Sequence, residues 1–194
     1  MSRVVVTNFL TLDGVMQAPA GPDEDRRDGF EHGGWAPPYA DSVLGSEMGK
    51  RMAKGGALLF GRRTYEQMFS FWPHQPDDNP YAAVINSRQK YVASRTLKAP
   101  LEWKNATLLE GDAADAVAKL KEQSGQDIGA LGSGELVQSL MRRNLIDEYV
   151  LLIHPLVLGA GRRMFPDGGA PVTLRLVDTA TTTTGVIIAT YEPG

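Results

Sequence analysis

The residues best suited to chemistry gather where Leu58-Leu59-Phe60 runs into Gly61-Arg62-Arg63-Thr64-Tyr65-Glu66, an apolar strand pattern that meets a glycine, two arginines and a threonine before turning helical. A glycine lets a ligand approach the backbone, and the start of a helix offers unpaired N–H groups at the positive end of its dipole. Guanidinium groups take phosphate oxygens in pairs. Such a segment is built for an anion, although on its own it reads equally well as a solvated basic turn.

Two further segments have the same character. Leu131-Gly132-Ser133-Gly134-Glu135 joins a strand pattern to a well-specified helix, and Tyr91-Val92-Ala93-Ser94-Arg95-Thr96 ends another strand with a hydroxyl and a guanidinium. Strand ends of an open α/β sheet converge on one crevice, so three clips of this kind favour an extended ligand with several phosphates. The glycine turn is not the Rossmann fingerprint, because Val137 stands where the third glycine would be. Neither a Walker A loop nor a Gly-x-Ser-x-Gly nucleophile elbow is present.

Leu12-Asp13-Gly14-Val15-Met16 follows the first strand pattern, where Asp13 either orients a polar substrate or makes an Asx turn. Trp35, Tyr65, Phe69, Phe71 and Trp72 are enough aromatics to line a planar-substrate pocket, with Trp35 and Tyr65 the candidates, although such spacing is also that of a core. His74 reads as a solvated loop histidine.

The elements that position these segments alternate between β-branched runs and helical stripes, the pattern of an α/β sheet covered on both faces. Strands are expected at 3–9, 57–61, 90–94, 106–109, 127–131, 147–154, 172–177 and 184–191, and helices at 43–54, 64–70, 80–86, 113–123 and 134–143. The last helix is the best specified. Leu136, Val137, Leu140 and Met141 form one stripe, Arg142 and Arg143 sit at the negative dipole end, and Asn144 can cap. Residues 16–40, with four prolines and the acidic run Asp23-Glu24-Asp25, predict a long irregular loop. Trp35 and Tyr39 within it favour a lid or pocket wall over slack chain. Beyond residue 145 the pattern becomes strand-rich, which predicts an antiparallel edge, and the threonines of 179–184 are strand or hairpin material.

The bulk composition narrows the classes. At 194 residues the chain suits one domain, 1–194, and a net charge of −3 argues against nonspecific nucleic-acid binding. With no cysteine and three scattered histidines, disulfides, thiolate chemistry and a metal site are not expected. The first apolar run is too short for a membrane span, and a cytoplasmic setting is expected.

The ordered set Leu12-Asp13-Gly14, Gly61-Arg62-Arg63-Thr64-Tyr65-Glu66, Trp72-Pro73, Ser94-Arg95-Thr96, Gly132-Ser133-Gly134 and His154-Pro155-Leu156-Val157-Leu158-Gly159-Ala160-Gly161-Arg162-Arg163-Met164-Phe165 resembles the dihydrofolate reductase-like family. Within it, the chain looks like a stand-alone form of the C-terminal reductase domain of bacterial RibD, the riboflavin-pathway reductase. The resemblance implies a three-layer α/β fold: a mixed, mainly parallel sheet with helices on both faces and antiparallel C-terminal strands. It also implies NADPH as cofactor, a small-molecule substrate, no nucleic-acid or membrane partner, and a homodimer.

Residue by residue, the resemblance puts Gly61, Arg62, Arg63 and Thr64 on the cofactor phosphates and Ser94 and Arg95 on the adenosine 2′-phosphate. Gly132, Ser133, Gly134, Glu135 and Leu136 fall on the pyrophosphate and nicotinamide side, and Val15 and Met16 flank the nicotinamide. Asp13 and Gly14 match the pattern of the riboflavin-pathway reductases on the substrate side. Classical dihydrofolate reductases carry an acidic residue on the helix before the Gly-Arg-x-Thr strand. The comparable region here offers only Asp41 and Glu47, so the catalytic candidates are Asp13 and Glu47, with Asp41 beside them. The implied activity is hydride transfer to a heteroaromatic or ribityl-linked substrate, as in 5-amino-6-(5-phosphoribosylamino)uracil reductase. The alternatives are dihydrofolate reduction and a non-catalytic nucleotide- or flavin-binding module.

Overall fold

The computed structural model describes residues 1–76, 78–123, 125–169 and 171–194. Its eight strands are β1 (Val4–Thr11), β2 (Ala57–Gly61), β3 (Lys90–Ala93), β4 (Ala106–Leu109), β5 (Ile128–Leu131), β6 (Glu148–His154), β7 (Leu174–Thr181) and β8 (Ile187–Pro193). They form one mixed, mainly parallel sheet in the order β4-β3-β2-β5-β1-β6-β8-β7, surrounded by helices. The helices are α1 (Ser42–Ala53), α2 (Arg62–Phe71), α3 (Pro80–Ser87), α4 (Ala113–Glu122) and α5 (Gly134–Arg142). The chain divides into two compact units, Met1–Val5 with Lys54–Ile146, and Val6–Ala53 with Asp147–Gly194.

In the first unit, β2 pairs in parallel with both β3 and β5, and β3 with β4. Parallel strands need crossovers, which α2 and α3 supply between β2 and β3, and the helix-free residues 94–105 between β3 and β4; α4 leads into β5. β2 is buried through Ala57, Leu58, Leu59 and Phe60, as its uniformly apolar sequence requires of a strand covered on both faces. On α5 the stripe Leu136, Val137 and Leu140 is buried, while Asn144 takes the left-handed conformation (φ 51°) that ends the helix.

An aromatic cluster of Phe60, Tyr65, Phe69 and Trp103 fills one side of this unit, with Phe60 stacked on Trp103 and Tyr65 on Phe69. Beside it lies Lys90, fully buried. Its ammonium donates to the carbonyls of Asn86, Arg88 and Lys104 at 3.0, 2.7 and 3.1 Å and sits 4.6 Å from the Trp103 ring centroid. Burial pushes its pKa down to about 8.

In the second unit, β8 pairs antiparallel with β6 and β7, giving the expected antiparallel edge. The strands shift from 172–177 and 184–191 to Leu174–Thr181 and Ile187–Pro193 because the threonine run builds the hairpin turn. Thr182 N–H donates to Val186 O, Gly185 N–H to Thr182 O, and Val186 N–H to the Thr182 hydroxyl. The next two threonines hold the loop ahead of α1. Thr183 donates from its N–H and its hydroxyl to Asp41 Oδ2, while Thr184 donates to Tyr39 O.

The long loop over 16–40 is packed in this unit rather than loose. Phe30 and Trp35 are buried, short 3-10 turns form at Arg27–Gly29 and Pro37–Tyr39, and Trp35 Nε1 donates to Gln17 O at 2.8 Å. Its Trp35 and Tyr39, together with Phe9 of β1, enclose His154, with ring centroids 5.1, 5.6 and 5.6 Å from the imidazole.

Candidate functional site

Two groups of predicted residues stand in the structure, one in each unit. In the first unit, the turns Gly61–Thr64 and Gly132–Glu135 open α2 and α5 at the exits of β2 and β5. Gly132 (φ 57°) and Ser133 (φ 56°) both lie in the left-handed region, which glycine enters freely and serine only at a cost. That conformation brings the Ser133 hydroxyl to Gly61, whose N–H donates to Ser133 Oγ at 2.9 Å across 72 residues of sequence. Thr64 Oγ1 lies 3.0 Å from the same oxygen.

The helix starts here differ from the others. Asn79 caps α3 and Asp112 caps α4 through side-chain acceptors, and Asp41 accepts from Leu44 N–H in the first turn of α1. Gly61 and Ser133, which precede α2 and α5, give their helices no side-chain cap. The first-turn amides of these two helices therefore point out without a side-chain acceptor, which is what an anion at a helix start requires.

The basic residues around the turns are unequal. Arg62 lies 3.4 Å from Glu66 and Arg63 4.0 Å from Glu135, so both guanidinium groups have a carboxylate within reach. Arg95 is exposed and without a partner among the described residues. It follows β3 directly, in a turn where Ser94 Oγ accepts the N–H groups of Thr96 at 3.1 Å and Leu97 at 3.0 Å. With its acceptor capacity taken, the Ser94 hydroxyl has its proton to give, with Thr96 Oγ1 at 3.4 Å the one side-chain acceptor near it among the described residues.

Tyr65 does not join this group as an exposed wall. Its ring lies in the aromatic core, 4% exposed, and its hydroxyl accepts Trp103 N–H at 3.2 Å.

In the second unit, Asp13 is the hub of the turn after β1. Its carboxylate accepts from the Thr11 hydroxyl at 2.5 Å and from the N–H groups of Leu158 and Gly159 at 3.2 and 2.8 Å, with Arg163 at 3.9 Å. The Thr11 hydroxyl and these amides hold the Asp13 carboxyl below the usual carboxylate range, against a smaller opposing effect of burial. A carboxylate so occupied is a positioning group and a poor proton donor. Gly14 (φ 80°) completes the turn, whose ends close through Thr11 N–H to Val15 O, and Val15 is buried. Met16 N–H donates to Arg162 O, fixing the loop that follows.

Neither other acid is poised for proton transfer. Glu47 pairs with Lys50 at 2.5 Å, and that hydrogen bond lowers its pKa. Asp41 is engaged by Leu44 N–H and by Thr183, which lower its pKa too. Trp35 faces inward onto His154.

His154, like Lys90 in the first unit, is a buried titratable group that residue types alone did not single out. Its Nδ1 lies 2.9 Å from Leu152 O, and its Nε2 is enclosed with no hydrogen-bond partner among the described residues. Burial pushes its pKa down, opposed by the backbone at Leu152 and Leu10. A polar residue at the end of an apolar strand was the only signal, and histidine commonly occurs there. A cleft of about 270 Å³ lies among Gln17, Arg27, Phe30, His32, Gly161 and Arg162, next to Met16 and Trp35, whose N–H groups donate to Arg162 O and Gln17 O.

The description "RibD C-terminal domain" covers the family model that matches residues 2–188. The chain belongs to the RibD C-terminal domain family. A Bacillus subtilis member, the uncharacterized protein YyaP, is 32% identical over 98% of this chain and 94% of its own length. Another B. subtilis protein, the uncharacterized YwjB, is 28% identical over 63% of this chain and 65% of its own.

Among solved structures, a protein of Shewanella sp. PV-4 provisionally described as a riboflavin biosynthesis protein superposes with a TM-score of 0.68. It has 22% identity and covers 99% of each chain. A pyrimidine reductase-like protein of Corynebacterium diphtheriae superposes with a TM-score of 0.62 at 11% identity, over 100% of this chain and 92% of that one. These two likenesses establish the fold of this family member. Membership of the RibD C-terminal family supports a reductase role acting on a small molecule. No helix among the described residues is long and apolar enough to cross a membrane, and among them no cluster of metal-ligating side chains occurs.

Proposed function

We propose that the protein is an NADPH-dependent reductase acting on a planar heteroaromatic or ribityl-linked imine or carbonyl. One observation carries this reading: of the α-helices among the described residues, α2 and α5 are the two that start without a side-chain cap, and their two turns are tied together by the Ser133 hydroxyl. The residues present fit the cofactor. The amides that open α2 and α5 suit a pyrophosphate, and Arg95 with the Ser94 hydroxyl suits a phosphate monoester such as that of adenosine 2′-phosphate.

Bound there, NADPH would supply the hydride. The chain's own part is to hold and orient, with Gly61, Thr64, Gly132 and Ser133 shaping the phosphate cradle and Arg62, Arg63 and Arg95 supplying positive charge. In the second unit, Asp13 fixes the Gly14–Met16 turn and the Leu158–Gly159 amides, which keeps the substrate-side loop in one conformation. With Asp13, Asp41 and Glu47 all committed to other partners, the proton for the reduced product comes from water or from the substrate itself. The same occupancy weighs against dihydrofolate reduction, which calls for an available acid.

Exposed Leu176, Val177 and Ile187 on the terminal β7–β8 hairpin support a homodimer, which sedimentation tests. The cofactor reading is tested by titrating the protein with NADPH and NADP⁺. Dissociation constants in the micromolar range are expected, and binding weaker than millimolar for both sinks the proposal. Tight binding with no oxidation across a panel of pteridine, pyrimidine and flavin substrates would instead mark a non-catalytic module.

A further inference from the structure

His154 ends β6 fully buried, and its imidazole is walled in by Phe9 of β1 and by Trp35 and Tyr39 of the long loop. The Trp35 and Tyr39 rings stand at 83° and 87° to it, so the imidazole packs edge-to-face with both. Nδ1 lies 2.9 Å from Leu152 O, and a carbonyl can only accept, so Nδ1 carries the ring proton. Nε2 is then a bare lone pair, with no hydrogen-bond partner among the described residues. A phenyl ring would fill such a cage without leaving a polar atom unsatisfied. What histidine adds here is a second site for a proton.

A proton on Nε2 puts a full charge inside an aromatic enclosure, with no acceptor within hydrogen-bonding distance of the new N–H. Burial pushes the His154 pKa down for this reason, opposed by the backbone at Leu152 and Leu10. The charged groups of the surrounding elements are engaged elsewhere. Asp13, after β1, accepts from Thr11, Leu158 and Gly159, and Asp41, after the loop, from Leu44 and Thr183. Arg51 of α1 and Glu148 of β6 lie 3.9 Å from each other, Arg175 of β7 pairs with Glu192 of β8, and the hairpin turn brings threonine hydroxyls. The loop's own His32 packs edge-on to Phe30. None of these makes an electrostatic contact with the imidazole among the described residues.

We propose that His154 is a proton-operated latch on the loop segment Trp35–Tyr39: neutral, it completes the aromatic cage that keeps the segment docked, and protonated, it favours release of the segment from β1 and β6. The inference is independent of the cofactor reading. The segment has further ties, from Trp35 Nε1 to Gln17 O, Ala36 N–H to Pro19 O and the Thr184 hydroxyl to Tyr39 O. These bonds do not titrate between pH 7 and 5. They set how rare release is at any pH and cancel from its pH dependence, which His154 supplies.

The docked state holds the histidine at a depressed pKa and the released state at the ordinary value of about 6.5. Docking is therefore firmest above that value and weakens as pH falls from there toward the docked value. Between pH 7 and pH 5 the population of the released segment should rise by up to about 25-fold.

The test is native-state hydrogen exchange of the Gly34, Ala36, Tyr39 and Ala40 amides, all hydrogen-bonded in the docked loop, with rates corrected for the intrinsic effect of pH. Opening at these amides should increase many-fold from pH 7 to pH 5 in the wild type and in His32→Gln. It should stay flat in His154→Phe and in His154→Gln, neither of which takes up a proton. Amides of β2 and β5, in the other unit, should show no comparable rise.

A pH-independent loop in the wild type overturns the latch. So does an equal rise in a folded His154→Phe or His154→Gln protein, or one that His32→Gln abolishes. An equal rise at β2 and β5 means global unfolding in place of release, and overturns it too. If neither His154 variant folds, a nitrogen-detected NMR titration of the wild-type imidazole decides: Nε2 taking its proton well below the ordinary histidine value supports the latch, and at or above that value refutes it.

Discussion

Replacing Arg95 with methionine gives the sharpest reading of the cofactor site. Of the three arginines near the phosphate turns, Arg62 and Arg63 have Glu66 and Glu135 within 3.4 and 4.0 Å, whereas Arg95 has no partner among the described residues. A ligand phosphate reaching Arg62 or Arg63 exchanges one anion for another, while at Arg95 it gains a charge-assisted bond with no internal competitor. Such a bond contributes about 1.5–3 kcal/mol, so Arg95→Met should weaken NADPH by roughly 10- to 150-fold.

NADH lacks the 2′-phosphate, and its dissociation constant should stay within about twofold. The assay is a nicotinamide-fluorescence titration of both dinucleotides at low and high salt. Arg95 is exposed, so the wild-type preference for NADPH should shrink at high ionic strength. Methionine keeps much of the stem and the turn is held by Ser94 through Thr96 and Leu97, so melting should be unaffected. Equal losses for NADPH and NADH would refute the reasoning, as would a larger selective loss from Arg62→Met.

Other outcomes follow from single contacts. A methyl group at Gly161 (φ 117°) would lie 2.7 Å from Phe30 Cε2 and from Val15 Cγ1, so Gly161→Ala should cost about 2–4 kcal/mol in denaturant unfolding. Gly159→Ala has open space and should cost only about 1 kcal/mol of backbone strain. Asp13→Asn should speed hydrogen exchange at the Leu158 and Gly159 amides, because the amide group cannot accept at both carboxylate positions.

Lys90→Met should destabilise the fold by leaving three carbonyls without their donor. The folded pKa of Lys90 is lowered to about 8, so the unfolded chain holds more protons between pH 8 and the ordinary lysine value. The stability gap between wild type and Lys90→Met should therefore widen across that window, by up to about 3 kcal/mol. His154 is also depressed, so its contribution is present above the unfolded histidine pKa and is lost as pH falls from there toward the folded value. Comparing wild type with His154→Phe in unfolding titrations over pH 7 to 5 should show this slope only in the wild type.

The helices and strands were legible because their periods are local. The α5 stripe of Leu136, Val137 and Leu140 and the apolar run of β2 each declare their element without reference to the rest of the chain. The hairpin of the threonine run moved its strands by several residues, since threonine suits both strand and turn and only the pairing of β7 with β8 decided which. Candidate phosphate turns were also legible, as glycine and arginine at a strand exit are a composition signal.

What the sequence could not supply is the partner of each polar group. Asp13 carried the same letters whether it was a free acid or the anchor of the Leu158–Gly159 turn, and the choice depended on a loop some 145 residues away. Tyr65 and Trp35 read as pocket walls until packing turned both inward, one onto Phe69 and the other onto His154.

By itself, then, the sequence determined the alternation of elements, the membership of a family and the three strand-exit segments, because each is written in neighbouring residues. The tertiary structure alone decided which α-helix starts lack a side-chain cap, which arginine near the phosphate turns has no partner among the described residues, and that a serine 72 residues from Gly61 binds the two turns together. Hydrogen-bond saturation is a property of groups brought together from distant parts of the chain, and no local pattern encodes it.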